Sequence, residues 1–200
     1  MSPATLVAVP GIPDVRPGMP LPDLVVRALE AAALRPERGD VLVVAQKVVS
    51  KAEGSVVDLT DVTPGDEARR LAAQGGKDPR LVEVILRESV RVVRAHAGVL
   101  ITEHRLGFIC ANAGVDHSNV GLGPDAVTLL PRDPDASARA LAAAVQEAFQ
   151  VPVAVIINDS HGRPHREGAV GVCIGAAGLQ PLLSLVGRPD RYGYTLRTSV

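Results

Sequence analysis

The stretch Val41-Leu42-Val43-Val44-Ala45-Gln46-Lys47 is the clearest fold signal in this chain. Its first five residues form an unbroken apolar run of strand length, and the turn residues Gly39 and Asp40 come just before it. An apolar run without alternation is typical of a strand covered on both faces. Because polar residues follow at once, the sequence predicts a buried strand whose end carries polar side chains.

The other elements are placed by their apolar patterns and by their start signals. Helices are predicted at residues 21–34 and from Asp133-Pro134 to Gln150. Thr63 and Asp78 are predicted to cap two more helices, the second with a proline at its first position. Strands are predicted at residues 6–9, 90–93, 99–102, 107–111, 151–158 and 169–174. This mixture of βα units and clustered strands favours an irregular mixed α/β, or α+β, fold in one domain spanning residues 1–200.

The composition excludes several classes of function. Lys and Arg total 21 and Asp and Glu total 22, without a polybasic block, so neither a nucleic-acid surface nor a membrane surface is expected. Two distant cysteines predict neither a disulfide framework nor a zinc site, and they suggest a reducing, cytoplasmic setting. The start of the chain shows no signal peptide, and no run is long and apolar enough to cross a bilayer.

Two polar segments contain carboxylates and follow predicted strands. Residues 111–121 bring Asp116 together with amide and hydroxyl side chains, which suit a hard cation or its phosphate ligands. The plain alternative is a turn rich in Asn, Asp, Ser and Gly. In residues 158–166, Asp159 and Ser160 are candidate ligands of a divalent ion, and Arg163 and Arg166 are candidates for phosphate. The alternative there is a solvated loop.

A third polar segment, residues 46–51, directly follows the strand at residues 41–45. Its two lysines, Lys47 and Lys51, can offer point charges to phosphate, although surface lysines on an amphipathic segment are the better explanation when this segment is taken alone. If the three preceding strands share a sheet, the three polar clusters can converge at one edge. Two carboxylates with lysine and arginine are the groups needed for metal-assisted phosphoryl transfer.

Two weaker signals are set aside on structural grounds. Residues 121–126 match the G-x-G-x-x-A dinucleotide pattern, but they have no preceding strand and contain a proline. His161 and His165 are four residues apart, yet Gly162 and Pro164 between them argue against a helical zinc site.

The motifs resemble those of the coenzyme F420-0:L-glutamate ligase family, also called gamma-glutamyl ligases. The resemblance covers nearly the whole chain and is carried by residues 11–18, 39–54, 101–121, 129–138 and 153–168. It implies a gamma-glutamyl ligase-like fold in an intertwined homodimer. It also implies an enzyme that uses GTP with Mg²⁺ or Mn²⁺, and K⁺ as a further candidate ion. Such an enzyme activates a carboxylate of coenzyme F420-0 as an acyl phosphate and joins it to L-glutamate, releasing GDP and phosphate.

The resemblance also assigns roles to residues that match the family's motifs. The implied nucleotide contacts are Ile12, Pro13, Asp14, Val15, Gln46, Lys51 and Asn119. The implied metal ligands are Asp116, Asp159 and Ser160, and the groups closest to the chemistry are Asp116, Asp159 and Lys51.

Set against the family's usual pattern, the resemblance implies a departure at Gln46, where members usually have Ser or Thr, and leads us to expect a shortened C-terminus. A different carboxylate acceptor and a non-catalytic nucleotide- or deazaflavin-binding module are the alternatives.

Overall fold

The helices and strands come from a computed structural model that describes residues 4–96, 98–162 and 167–198. The helices are α1 (Leu21–Ala31), α2 (Gln46–Ala52), α3 (Asp66–Gly75), α4 (Pro79–Arg87) and α5 (Pro134–Phe149), with short 3₁₀ turns at Leu59–Asp61 and Asn112–Gly114. The strands are β1 (Val41–Ala45), β2 (Val56–Asp58), β3 (Ser89–His96), β4 (Val99–His104), β5 (Ile109–Ala111), β6 (Ala126–Thr128), β7 (Ala154–Gly162) and β8 (Ala169–Ala177).

Within the described residues these strands form three small sheets. The first has the order β1-β7-β8, in which β1 runs parallel to β7 and β7 runs antiparallel to β8. The second is an antiparallel sheet of β3, β4 and β5, and the third is the antiparallel pair β2 and β6. The predicted mixed α+β class is confirmed. No described helix is long and apolar enough to cross a membrane.

Helices α1 and α5 cover one face of the first sheet. Leu29 of α1 and Leu141 of α5 pack in the same buried cluster as Val155 and Ile157 of β7, which are fully buried. The prediction that β1 is covered on both faces is wrong. Only one face of β1 packs on this core: Val44 is buried, whereas Val43 on the opposite face remains 60% exposed.

A second core lies between the β3-β4-β5 sheet and helices α3 and α4. Val82 and Ile85 of α4 are completely buried there, and Leu100 of β4 packs in the same cluster. The 3₁₀ turn at Asn112–Gly114 adds Ala113 to this cluster. The second core therefore fixes the chain that leads into the polar segment after β5.

The helix starts show which local signals were decisive. The Asp78 carboxylate accepts the backbone N–H of Arg80 at 2.8 Å, so the predicted cap of α4 is confirmed. Asp133 caps α5 in the same way, as its motif predicts. Thr63 as a cap is wrong, because α3 begins after Gly65, whose N–H donates to the Glu83 side chain.

The strand predicted at residues 6–9 is also wrong. In the described structure this segment has extended backbone but belongs to no sheet. It lies beside α1 and β1, where Val9 packs against the first core while Leu6 stays fully exposed. Residues 6–9 therefore have the composition and the extended backbone of a strand, but they pair with no other described strand.

Candidate functional site

The parallel pairing of β1 and β7 brings two of the three polar segments together. Ala45, the last residue of β1, is in register with Asn158 of β7. The residues that follow these positions, Gln46 on one side and Asp159 on the other, therefore start from the same edge of the sheet. The predicted convergence of the polar segments at one edge is confirmed for these two.

Strand β7 does not end where the sequence suggested. It continues to Gly162, with Asp159 paired to Val172 and the following residues paired to β8. A register shift at Ile157 and Asn158 lets the hairpin extend beyond β1, and Gly171 leaves room for the Asn158 amide, which would lie 2.9 Å from a Cβ at that position. The loop predicted after Asn158 is therefore a strand.

Helix α2 brings the third polar segment to this edge. It begins at Gln46, directly after β1, so no connecting loop separates the sheet from the helix. The Lys47 ammonium lies 2.6 Å from Asp116 Oδ2 and 2.9 Å from Ser118 Oγ, and it also donates to the Ser118 carbonyl. One turn further on, the Lys51 ammonium lies 3.8 Å from the position that a Cβ on Gly121 would occupy. Lys47 thus holds the loop after β5, and Lys51 lies beside it.

The surroundings of Asp116 favour the ionised form of its side chain. Its Oδ1 accepts the Ser118 N–H at 2.8 Å and its Oδ2 accepts the Ser118 hydroxyl at 2.8 Å. Burial favours the neutral acid, but the hydrogen bonds from Lys47 and Ser118 outweigh it, so the pKa of Asp116 is lowered. The backbone of Asp116 also pairs with that of the fully buried Thr128, which fixes the position of the carboxylate.

Asp159 occupies a more enclosed position on β7. Its side chain is 14% exposed, and its Oδ2 lies 3.0 Å from His161 Nε2. Side chains alternate along a strand, so Asp159 and His161 share one face while Ser160 points to the other. Ser160 is exposed. Ser160 follows Asp159 in the same strand and is in register with Gly171 of β8.

Cys110 of β5 lies near both the Asp159 carboxylate and the loop that leads to Asp116. Burial and the negative charge of Asp159 raise the pKa of the Cys110 thiol to about 11, although a hydrogen bond with the Gly114 backbone opposes this. The thiol is therefore protonated at neutral pH. Strand β5 contacts β7, so the outer half of β7 lies beside the start of the polar segment that follows β5.

The predicted nucleotide-contact residues differ in how far they are exposed to solvent. Pro13, Asp14 and Asn119 are exposed, and Ile12 is half-buried. The Val15 side chain is only 4% exposed and packs in the first core, so only its backbone is available to a ligand. The loop is joined to the site by the Gly18 N–H, which donates to the Ala52 carbonyl at the end of α2.

Gln46 is likewise turned inward. It is 5% exposed, and its Oε1 accepts the Ser50 hydroxyl at 2.9 Å. Arg163 and Arg166, the predicted phosphate ligands, lie outside the described residues.

The sequence suggested both lysines as candidate phosphate contacts but assigned a site role only to Lys51, whereas the structure pairs Lys47 with Asp116. Lysines four residues apart lie on the same face of a helix, so recognising residues 46–52 as a helix would have assigned both. Among the described residues, no three His, Cys, Asp or Glu side chains gather closely enough to hold a metal on their own. A metal there would depend on Asp116 or Asp159 with further ligands from a nucleotide and water.

The fold and the site together define an α+β protein with a lysine-rich polar site where the parallel pairing of β1 and β7 ends. A sequence profile described as F420-0:Gamma-glutamyl ligase matches residues 11–200. The chain is 45% identical over 195 residues to the coenzyme F420:L-glutamate ligase of Methanothermobacter thermautotrophicus, covering 98% of this chain and 77% of that relative. It is 48% identical over 186 residues to the protein of the same name from Methanopyrus kandleri, covering 93% and 71%. With the Archaeoglobus fulgidus protein of that name it shares 38% identity over 192 residues, covering 96% and 74%.

This chain belongs to the F420-0:gamma-glutamyl ligase family. Both the resemblance noted from its motifs and the enzyme class that it implied, a ligase, are confirmed.

Proposed function

We propose that this enzyme adds L-glutamate to coenzyme F420-0, using GTP and a divalent metal ion, through an acyl-phosphate intermediate. The observation that carries the proposal is the position of Asp116. It is ionised, it pairs with Lys47, and Lys51 lies beside its loop. The names of the relatives supply the substrates, coenzyme F420 and L-glutamate.

The reaction requires activation because a carboxylate does not expel oxide when an amine attacks it. Transfer of the γ-phosphoryl group of GTP to a carboxylate oxygen of the acceptor forms the acyl phosphate and releases GDP. The glutamate amine then attacks the acyl carbon, the amide C–N bond forms, phosphate leaves and one proton is lost. Positive charge placed before the reaction begins stabilises the transferring phosphoryl group. Lys47 and Lys51 supply that charge at the end of β1.

The donor atoms of the site fit a divalent ion such as Mg²⁺ or Mn²⁺. Ionised oxygen ligands suit these ions, which in nucleotide sites take one or two carboxylates and complete their shell with phosphate and water. Asp116 and Asp159 are the carboxylates we propose, and the buried His161 Nε2 beside Asp159 has no hydrogen bond to any described residue. The ion would neutralise phosphate charge. Ser160, which follows Asp159 in β7, is the third ligand that we propose.

A second copy of the chain is proposed to cover the exposed edge of β1. A groove of about 530 Å³ runs along this strand and is lined by Leu6, Val7, Val41 and Val43, all of them well exposed. An unpaired apolar edge strand is suited to pairing with another chain. We propose the homodimer, with one domain per chain, on this basis. The free thiols of Cys110 and Cys173 support a cytoplasmic location.

The test is release of GDP, measured with and without coenzyme F420-0 and L-glutamate, together with the mass of the product. We expect release that needs both substrates, and a product heavier by one or more glutamyl groups. Asp116→Asn and Asp159→Asn should each lower turnover by about a hundredfold or more. Asp23→Asn, the same chemical change on the exposed part of α1, is the matched control and should leave turnover unchanged.

Two results would reject the proposal. Turnover by the Asp116→Asn enzyme at the wild-type rate would remove the assigned role of this carboxylate. GTP binding without turnover of any carboxylate acceptor would instead indicate a binding module.

A further inference from the structure

The segment from Thr128 to Arg132 holds the loop that contains Asp116. The Asp116 N–H donates to the Thr128 carbonyl at 3.0 Å, and the Thr128 N–H donates to the Asp116 carbonyl at 2.9 Å. Further along the segment, the completely buried Leu130 packs so closely on Gly114 that a Cβ there would lie 2.7 Å from the Leu130 side chain. The position of Asp116 therefore depends on where this segment lies.

The far end of the segment is held at the backbone of Arg132 from two sides. Its N–H donates to Glu53 Oε2 at 3.2 Å, and its carbonyl accepts a hydrogen bond from Arg105 Nη1 at 3.0 Å. Glu53 also accepts the Ser137 hydroxyl, and Arg105 also donates to Glu88 at 3.0 Å. Glu53 directly follows α2, whereas Arg105 directly follows β4, so the backbone of Arg132 joins the lysine-bearing helix to the second sheet.

Helix α2 is thus held near both of its ends. At its start Lys47 lies 2.6 Å from Asp116 Oδ2, and just past its end Glu53 binds the backbone of Arg132. An α-helix rises about 1.5 Å per residue, so these two contacts are about 9 Å apart along the helix axis. A short helix that is held at one point can pivot about it, whereas a helix held at two separated points cannot. The contact of Glu53 therefore fixes the direction of the helix that carries Lys47.

The position of Glu53 is unfavourable for a carboxylate unless its hydrogen bonds compensate for it. The C-terminal end of a helix carries partial negative charge, which disfavours another negative charge there. Glu53 is exposed, so it adds no buried apolar surface to either core. What a carboxylate adds at this position is the pair of hydrogen bonds with Arg132 and Ser137.

We infer that Glu53 is a positioning residue, which fixes Lys47 against Asp116 without touching a substrate. This inference rests on the proposed function, in which Lys47 supplies charge to the transferring phosphoryl group. Electrostatic stabilisation depends on charges that are in place before the reaction begins, and a displacement of about 1 Å can lower the rate about a hundredfold. Loss of the contact between Glu53 and Arg132 lets α2 pivot and moves the Lys47 ammonium from its place beside Asp116.

The first experiment measures kcat for GDP release by the wild type, Glu53→Ala and Glu53→Gln. Alanine removes both hydrogen bonds, and we expect kcat to fall about tenfold. Glutamine keeps an acceptor for the Arg132 N–H, so kcat should stay within about threefold of the wild type. Glu30→Ala, the same change at an exposed position of α1, is the matched control and should leave kcat unchanged.

A second comparison separates positioning from a general loss of stability. If Glu53 acts through Lys47, removing Glu53 from the Lys47→Met enzyme should lower kcat further by less than about twofold. A residue with a merely structural role would instead lower kcat by the same factor, about tenfold, with and without Lys47.

Urea unfolding gives a readout that does not depend on turnover. The coupling between Lys47 and Asp116, obtained from a double-mutant cycle, should fall by about half or more in the Glu53→Ala background. The same coupling should stay unchanged in the Glu30→Ala background.

Three results would overturn the inference. They are wild-type turnover by Glu53→Ala, equal losses of kcat with and without Lys47, and an undiminished coupling between Lys47 and Asp116 in Glu53→Ala. If the wild type releases no GDP in the presence of coenzyme F420-0 and L-glutamate, the proposed function fails instead, and the unfolding measurement still decides the role of Glu53.

Discussion

The ion pair between Lys47 and Asp116 can be measured by a double-mutant cycle on the metal-free protein. Lys47→Met keeps the aliphatic stem and removes the charge, and Asp116→Asn keeps the shape of the carboxylate. Hydrogen bonds to charged groups contribute about 1.5–3 kcal/mol when well buried, and fully exposed ion pairs contribute about 0–1 kcal/mol. The Lys47 side chain is 20% exposed and that of Asp116 is 42% exposed, so solvent screens part of the interaction. We therefore expect a coupling free energy of about 1 kcal/mol.

The assay is urea unfolding of the wild type, both single variants and the double variant, in the presence of a chelator. For a chain of this length, a change of 1 kcal/mol corresponds to a shift of about 2–4 °C in the melting temperature, which gives an independent check. Lys51→Met is the matched control, because Lys51 lies on the same helix and forms no ion pair within the described part of the chain. A coupling free energy below about 0.3 kcal/mol would show that the contact is not energetically significant and would refute the reasoning.

Three further changes test the framework around the site, all measured by urea unfolding. Asp78→Ala removes a helix cap and should cost about 1 kcal/mol, and Asp78→Asn, which keeps the cap, should cost less. The side-chain hydrogen bond from Arg80 lowers the pKa of Asp78 in the folded protein. The stabilisation by the ionised carboxylate is therefore complete above the pKa of the unfolded chain, near 4, and is lost as the pH falls through the lower pKa of the folded protein. The stabilities of the wild type and Asp78→Asn should converge in acid. Gly175→Ala would place a Cβ 2.5 Å from the Pro134 backbone and should cost about 2–3 kcal/mol, whereas Gly162→Ala meets nothing within 4 Å and should cost less. Leu130→Ala, at a completely buried position, should cost about 3 kcal/mol.

The sequence predicted elements whose signals are local. Strand β1 matched its predicted bounds because an apolar run flanked by turn residues is unambiguous, and α4 and α5 began where an aspartate followed by proline predicted. Helix α2 was not recognised because it has no side-chain cap, starting from Ala45 at the end of a strand. The rest of β7, from Asn158 onward, was not predicted as strand because its residues are polar. It forms a strand because it pairs with β8, not because of the strand propensity of its own residues.

The site could be predicted in its chemistry but not in its contacts. The three polar segments were identified from their positions after apolar strands, and two of them do meet through β1 and β7. The partner of Asp116 is Lys47, 69 residues earlier in the chain, and no local pattern links the two. The burial of Val15 and Gln46 was not predicted either, because it depends on which face of each segment packs against the core.

The direct junction between β1 and α2 makes the site sensitive to chain length. Each residue of an α-helix turns the next by about 100°, so one extra residue inserted after Ala45 would swing Lys47 and Lys51 around the helix axis and away from Asp116. Substitutions preserve this angular setting, whereas insertions and deletions at the junction destroy it. Length variation should therefore be tolerated in the surface turns of this enzyme and excluded at the boundary between Ala45 and Gln46.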